Sequence, residues 1–206
     1  MSGAFGLPLV VDGSQISALV VGGGAVATRK VVALRDGGAT VRVRAPRVSA
    51  ELTSRAAADE HLLIERLPYD GAAIGDAMLV VAATDDRALN GRIAGDARRA
   101  HRFVLVAGEP AAGNCVMPAV HRSGDLVVAV ASGGVPRASA RVRDALALRL
   151  DGRYAAAIRA VARLRQRLLA DNDRAAWHAA ADALLAEDFC ESVENGAFTE
   201  RLAAWQ

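Results

Sequence analysis

The chain has 206 residues, 52% of them hydrophobic but only 4% aromatic, and its 25 Lys and Arg against 23 Asp and Glu leave a formal charge of +2. That length supports one real core plus a smaller second unit, and the near-balance of charge gives no electrostatic case for nucleic acid. No run approaches the roughly 18 apolar residues of a membrane span, no signal-peptide pattern opens the chain, and the two cysteines, Cys115 and Cys190, suit a reduced protein rather than a disulfide framework.

A soluble cytoplasmic protein with no membrane partner is therefore expected. With few aromatic residues the core must be built from Ala, Val and Leu. These bury little area each, so a supplementary homodimer interface is expected as well. Lys30 is the sole lysine among the basic residues.

In chain order, residues 5–11 form an apolar lead-in that ends at the turn signal Asp12-Gly13. Ile16 to Val21 reads as a buried strand, Ala25 to Asp36 as a helix stopped by Gly37-Gly38, and Thr40 to Arg44 as a second strand stopped by Pro46. This makes a βαβ unit. A helix over 49–58, a short strand over 62–65, an apolar central strand over 78–83, a helix over 86–99 and a strand over 103–107 follow. Such alternation argues for an α/β fold with a doubly wound, Rossmann-type parallel sheet.

After Pro110 the pattern changes. Ala111 to Asn114 is a loop, Met117-Pro118 leads towards a strand over 126–131, and Ser132-Gly133-Gly134 precedes a helix over 136–150. From Tyr154 the chain reads as helix only, with breaks near Asn172 and Gly196 and apolar positions at Ile158, Val161, Leu164 and Leu168. The expected division is a nucleotide-binding Rossmann domain over 1–110, a small α+β dimerisation segment over 111–150, and a C-terminal helical domain over 151–206.

The chemistry concentrates at Gly22-Gly23-Gly24-Ala25-Val26-Ala27, where a strand, a turn and a helix appear in order. Gly22, Gly24 and Ala27 fill the small positions of a Gly-x-Gly-x-x-Gly/Ala fingerprint. The first allows the tight turn, the second lets backbone approach a pyrophosphate, and the third permits close helix–strand packing. The helix N-terminus then aims free N–H groups at the anion.

A usual NAD site carries an acid about 20 residues further on. Here Arg44-Ala45-Pro46-Arg47 stands in its place, so Arg44 or Arg47 can pair with a 2′-phosphate, which favours NADP, or can be plain solvated charges. Thr84 and Asp85 follow the central strand, where such folds bind ligands; capping of the next helix by Asp85 or Asp86 is the structural alternative. Ser132-Gly133-Gly134 is either an anion-approach turn or an ordinary strand-to-helix turn. Arg137 and Arg141 beside it suit carboxylates. His61, His101, His121 and His178 show no ligand spacing, and Cys115 with His121 falls short of a metal set. No resident metal is expected.

Taken together, these blocks resemble the N-terminal module of siroheme synthases, the dehydrogenase and ferrochelatase part that also occurs free-standing. The resemblance rests on Leu9 to Val11 leading into Val20 to Lys30, on Ala82 to Asp86 with Leu89-Asn90, on Met117-Pro118-Ala119, and on Leu126 to Gly134 followed by Pro136 and Ala138 to Arg141. It implies NAD-dependent oxidation of precorrin-2 to sirohydrochlorin by a homodimer with interleaved middle segments. NAD is then the implied cofactor, with NADP as the alternative. The module can also insert ferrous iron, which is a substrate and not a resident cofactor. Some relatives only oxidise.

One departure bears on iron insertion. Aligned through Pro110, Leu105 stands where the family pattern has Asn, and Gly108 where it has an Asp implicated in proton transfer during metal insertion. Glu109, one position on, is the candidate catalytic carboxylate. Two alternatives stay open: a dehydrogenase without chelatase activity, and a non-enzymatic protein that senses the nicotinamide nucleotide.

Overall fold

The computed structural model describes residues 6–205. Phe5, the first residue of the expected apolar lead-in, lies outside them; Leu7 to Val11 form no helix or strand and are exposed. The chain divides into two compact units, with the boundary between Met117 and Pro118.

The first unit holds five strands, β1 (Ser17–Val21), β2 (Thr40–Arg44), β3 (Leu62–Glu65), β4 (Leu79–Ala82) and β5 (Phe103–Val106), and three helices, α1 (Ala25–Asp36), α2 (Ala50–Ala57) and α3 (Arg87–Arg99). The strands form one parallel sheet in the order β3-β2-β1-β4-β5. The order reverses between β1 and β4, so the crevice beyond their C-terminal ends is the ligand position of such a sheet.

Alternation along the central strands sorts side chains onto two faces. Ala18, Val20, Val81 and Leu105 pack with Ala27, Val31 and Leu34 of α1 and Leu52 of α2. Leu19, Val21, Val80, Ala82, Val104 and Val106 pack with Ile93, Ala94 and Ala97 of α3 and with Tyr69 and Ile74. Strand β2 departs from this. Val41 and Val43 are fully buried, but Arg42 and Arg44 occupy its other face. The connection from β3 to β4 has only a single 3₁₀ turn, Gly71–Ile74, so no helix covers that face of β2. Polar contacts close it instead: both arginines pair with Glu65, at 3.4 and 3.2 Å, and Arg42 also donates to the Ala73 carbonyl at 2.8 Å.

A further ion pair ties the end of α1 to the approach to β3. The Arg35 guanidinium grips Asp59 at 2.6 and 2.9 Å. This hydrogen bond holds the Asp59 carboxyl below the usual carboxylate range. A depressed folded-state value means the pair's stability is present above the unfolded carboxylate range and lost as pH falls through the folded value. Arg35→Met is therefore expected to lower the urea midpoint at neutral pH, with the difference from wild type shrinking as the carboxylate is protonated in acid.

The second unit begins with an antiparallel hairpin, β6 (Ala119–Ser123) and β7 (Leu126–Val130), whose tight turn is Gly124-Asp125. Helix α4 (Pro136–Arg149) packs on both strands. Four further helices follow: α5 (Gly152–Ala170), α6 (Arg174–Leu184), α7 (Phe189–Asn195) and α8 (Ala197–Ala203). Their core joins Tyr154, Ala157, Val161 and Leu164 to Ala180, Leu184, Val193 and Phe198. Asn172 and Gly196, at φ of 58° and 90°, mark the two expected breaks. A third break, over 185–188, and strand β6 were not expected from the sequence. His121 of β6 has its Nε2 2.8 Å from the Leu150 carbonyl, a structural contact within this unit.

Candidate functional site

The glycine turn leaves β1 at the point where the sheet order reverses. Gly22 sits at φ +131°, a backbone state closed to L side chains, and a Cβ there would lie 2.3 Å from the Ala83 carbonyl oxygen beyond β4. Gly23 is equally committed: its Cβ would lie 2.0 Å from the Arg47 carbonyl. Gly24 is the opposite case, because nothing comes within 4 Å of a Cβ built on it. Gly24 is also the N-cap of α1 and offers no side-chain cap, and no acid occupies the first turn. The first-turn amides of Ala25 and Val26 therefore have no intrahelical partner, and both residues are exposed. Ala27, fully buried, lets α1 lie close against the sheet. An uncapped, exposed helix start beside a glycine turn is the kind of position that suits a diphosphate.

The loop after β2 closes one flank. Ala45 is buried, while Pro46 and Arg47 are exposed. The two arginines considered for a 2′-phosphate have different situations. Arg44 is spent within the protein: Nε donates to the Pro68 carbonyl at 2.8 Å, and its other nitrogens hold Glu65 at 3.2 Å and Asp70 at 2.5 Å. Arg47 has no ion pair among the described residues. Of the two, Arg47 is the one free to meet a ligand. Register explains the difference, since Arg44 lies directly beside Glu65 on β3.

Beyond β4, Thr84 is locked to Asn90 of α3. Its Oγ1 donates to Asn90 Oδ1 at 2.7 Å, and Asn90 Nδ2 returns a bond to the Thr84 carbonyl at 3.0 Å. Asp86 caps α3, accepting from the Leu89 amide at 3.0 Å, so Asp85 is the acid left exposed at the strand end. Thr84 thus shapes the crevice floor, and a role as a donor to the cofactor would require it to leave Asn90.

Beyond β5, Gly108 is at φ +82° with open space around it. The Glu109 carboxylate lies 2.6 Å from the Arg87 guanidinium, an exposed pair that salt weakens. In the second unit, Ser132 hands its proton to the Val135 carbonyl at 2.7 Å and meets Ser139 at 2.6 Å, which closes the turn through Gly133 and Gly134. Arg137 and Arg141, one helical turn apart on α4, are exposed without an ion pair among the described residues.

Of the residues named from the sequence, the structure therefore brings Gly22 to Val26, Arg44 to Arg47, Thr84, Asp85 and Glu109 to one edge of the sheet, whereas Ser132, Gly133, Gly134, Arg137 and Arg141 belong to the other unit. Sequence reasoning missed Gly23 as a packing residue and Asn90 as the anchor of Thr84. It also missed Ser49, which the sequence offered only as the first residue of an expected helix and which the structure makes the N-cap of α2. Among the described residues no three His, Cys, Asp or Glu side chains converge on a metal position, and no helix is long and apolar enough to cross a membrane.

A parallel sheet whose order reverses beside an open glycine turn and an uncapped helix start defines a dinucleotide-binding protein. The profile of an NAD(P)-binding family, NAD_binding_7, matches residues 9–119. Siroheme synthase of Saccharophagus degradans is 33% identical over 197 residues, which is 95% of this chain and 41% of that protein. Siroheme synthase of Escherichia coli O157:H7 is 38% identical over 136 residues, 66% of this chain and 30% of the relative. Among solved structures, SirC, precorrin-2 dehydrogenase, superposes with a TM-score of 0.76 at 25% identity, covering 96% of this chain and 99% of that one. The chain spans less than half the length of these curated relatives. It belongs to this NAD(P)-binding family, in the group formed by the siroheme synthase N-terminal module.

Proposed function

We propose that this chain oxidises precorrin-2 to sirohydrochlorin with NAD as electron acceptor. The observation that carries the reading is the uncapped start of α1 over Gly24, at the switch point of the sheet. Bound NAD supplies the acceptor for a hydride from the tetrapyrrole, while the accompanying proton passes to solvent. The chain's own part is to hold and orient: Gly22, Gly23, Gly24, Ala25 and Val26 seat the diphosphate on backbone amides, and Ala45, Pro46 and Arg47 flank the sugar. Thr84 and Asp85 border the β4 end of the crevice. Catalysis of this type is chiefly positioning of the reacting carbon.

In the other unit, Ser132, Gly133, Gly134, Arg137 and Arg141 are proposed to receive the carboxylates of the substrate, for which exposed guanidinium forks are suited. A homodimer is proposed on the exposed apolar residues of α4, Val142 at 48% and Leu148 at 86% exposure. A cytoplasmic site of action fits two free thiols, Cys115 and Cys190. Light scattering of the purified protein tests the dimer.

Gly108 favours the dehydrogenase-only form of this reading. It places no carboxylate where the family pattern has its Asp, and Glu109 is engaged with Arg87. Anaerobic incubation with precorrin-2 and either NAD or NADP, followed by sirohydrochlorin absorbance, tests the oxidation; turnover with neither cofactor would end the proposal. Ferrous iron added afterwards is expected to be inserted no faster than in buffer. Glu109→Gln is expected to leave the oxidation rate within about twofold, as loss of an exposed ion pair should.

A further inference from the structure

We propose that Thr28 and Ser49 act as a pair of positioning residues whose linked hydroxyls add a side-chain bond to the Gly24 carbonyl oxygen and keep it turned away from the bound diphosphate; this rests on the nucleotide reading above. An amide-rich turn binds an anion only if its carbonyls point elsewhere, because each carbonyl oxygen facing the phosphates would repel them. Both carbonyls at risk are tied. The Gly23 oxygen accepts from the Ser49 amide at 2.9 Å. The Gly24 oxygen accepts from the Thr28 amide at 2.9 Å and from the Thr28 hydroxyl at 3.0 Å.

The two hydroxyls lie 3.2 Å apart, and their proton directions follow from supply. Thr28 has one hydroxyl proton and gives it to Gly24. Ser49 Oγ already accepts from the Leu52 amide at 3.2 Å, so Ser49 gives its own proton to Thr28. The result is a directed relay from the start of α2, through Ser49 and Thr28, to the carbonyl of Gly24. Thr28 is only 4% exposed, so water does not take the place of its hydroxyl.

The same contact seats the loop that carries Arg47, whose carbonyl already fills the place of a Gly23 side chain. Separate, ordinary duties for these residues would be an N-cap for Ser49 and a helix back-bond for Thr28. Those duties concern stability and do not couple the two residues in nucleotide binding.

The test is NADH binding, followed by fluorescence and calorimetry, to the full chain and to Thr28→Val, Ser49→Ala, the double variant and Thr28→Ser. Each single change to Val or Ala is expected to weaken NADH about fivefold to tenfold, the scale of one net hydrogen bond. The double variant should be no worse than the poorer single, since one relay is broken either way. Thr28→Ser should keep wild-type affinity, whereas in the Thr28→Val and Ser49→Ala variants the KM for NAD should rise while kcat stays unchanged.

If wild type binds NADH and Thr28→Val binds it equally well, or if the two losses simply multiply, the relay is refuted while the cofactor reading stands. If wild type binds no nicotinamide nucleotide, the cofactor reading fails and takes the relay with it. Should Thr28→Val not fold, Ser49→Ala with unchanged NADH affinity refutes the relay by itself, because cap loss alone would lower Tm and not affinity.

Discussion

Gly24→Asp is expected to leave a folded protein that no longer binds nucleotide. The position has open space for a side chain and an extended backbone at φ −88° and ψ −171°. Aspartate at an N-cap supplies the side-chain acceptor that α1 lacks, so Tm should hold or rise. The same carboxylate, however, would occupy the opening over the first-turn amides and oppose the diphosphate. Two like charges about 4 Å apart repel by about 4 kcal/mol at the effective dielectric of a protein surface. Loss of NADH affinity on the order of a hundredfold or more is therefore expected. Thermal unfolding and nucleotide titration on the same sample check both halves. Retained affinity would mean that the diphosphate does not sit on α1.

The neighbouring glycine should behave in the reverse manner. Gly22→Ala forces a Cβ to 2.3 Å from the Ala83 carbonyl oxygen, and it does so at φ +131°. The clash is with backbone at the end of a central strand, which cannot rotate away. Strain and overpacking of this kind cost about 3 kcal/mol or more together. The expected result is a first unit that is largely destabilised, read as a marked fall in denaturant midpoint with loss of nucleotide binding as a consequence. Two glycines two residues apart would then separate the roles of folding and binding: the first is needed by the chain, the second by the ligand. A stable Gly22→Ala protein would contradict the packing of the turn on β4.

Where local pattern and tertiary surroundings agree, the chain could be read without coordinates. The runs at 18–21 and 79–82 are apolar because both faces of those strands are covered, and α1 stops at paired glycines. The small residues of the fingerprint marked the tight turn at Gly22 and the close helix packing at Ala27 for the same reason. Strand β6 was illegible because its Ala-Val-His-Arg-Ser sequence has neither an apolar run nor alternation, and its residues are only partly buried.

Arg44 and Arg47 looked equivalent because the partner that separates them, Glu65, lies on a strand 21 residues further along the chain. Gly23 occupied a variable position of the motif, and only the return of the β2–α2 loop shows why a side chain is excluded there. Ser49 was legible only as the start of a helix, and its bond to Thr28 depends on the same loop. The second unit was legible as helix through its three- and four-residue apolar spacing, and its third break was hidden in a segment without glycine or proline.

Lys30 lies on the second turn of α1, half-buried, with its ammonium pushed below the ordinary lysine range by burial and by the neighbouring Arg29. Because no other lysine exists in the chain, amine-directed reagents have a single side-chain address, and it falls on the helix that starts at the glycine turn. A fluorophore or crosslinker attached through an active ester would thus have one side-chain location, apart from the α-amino group, without any engineered cysteine, and peptide mapping of the modified chain would have one internal residue to find.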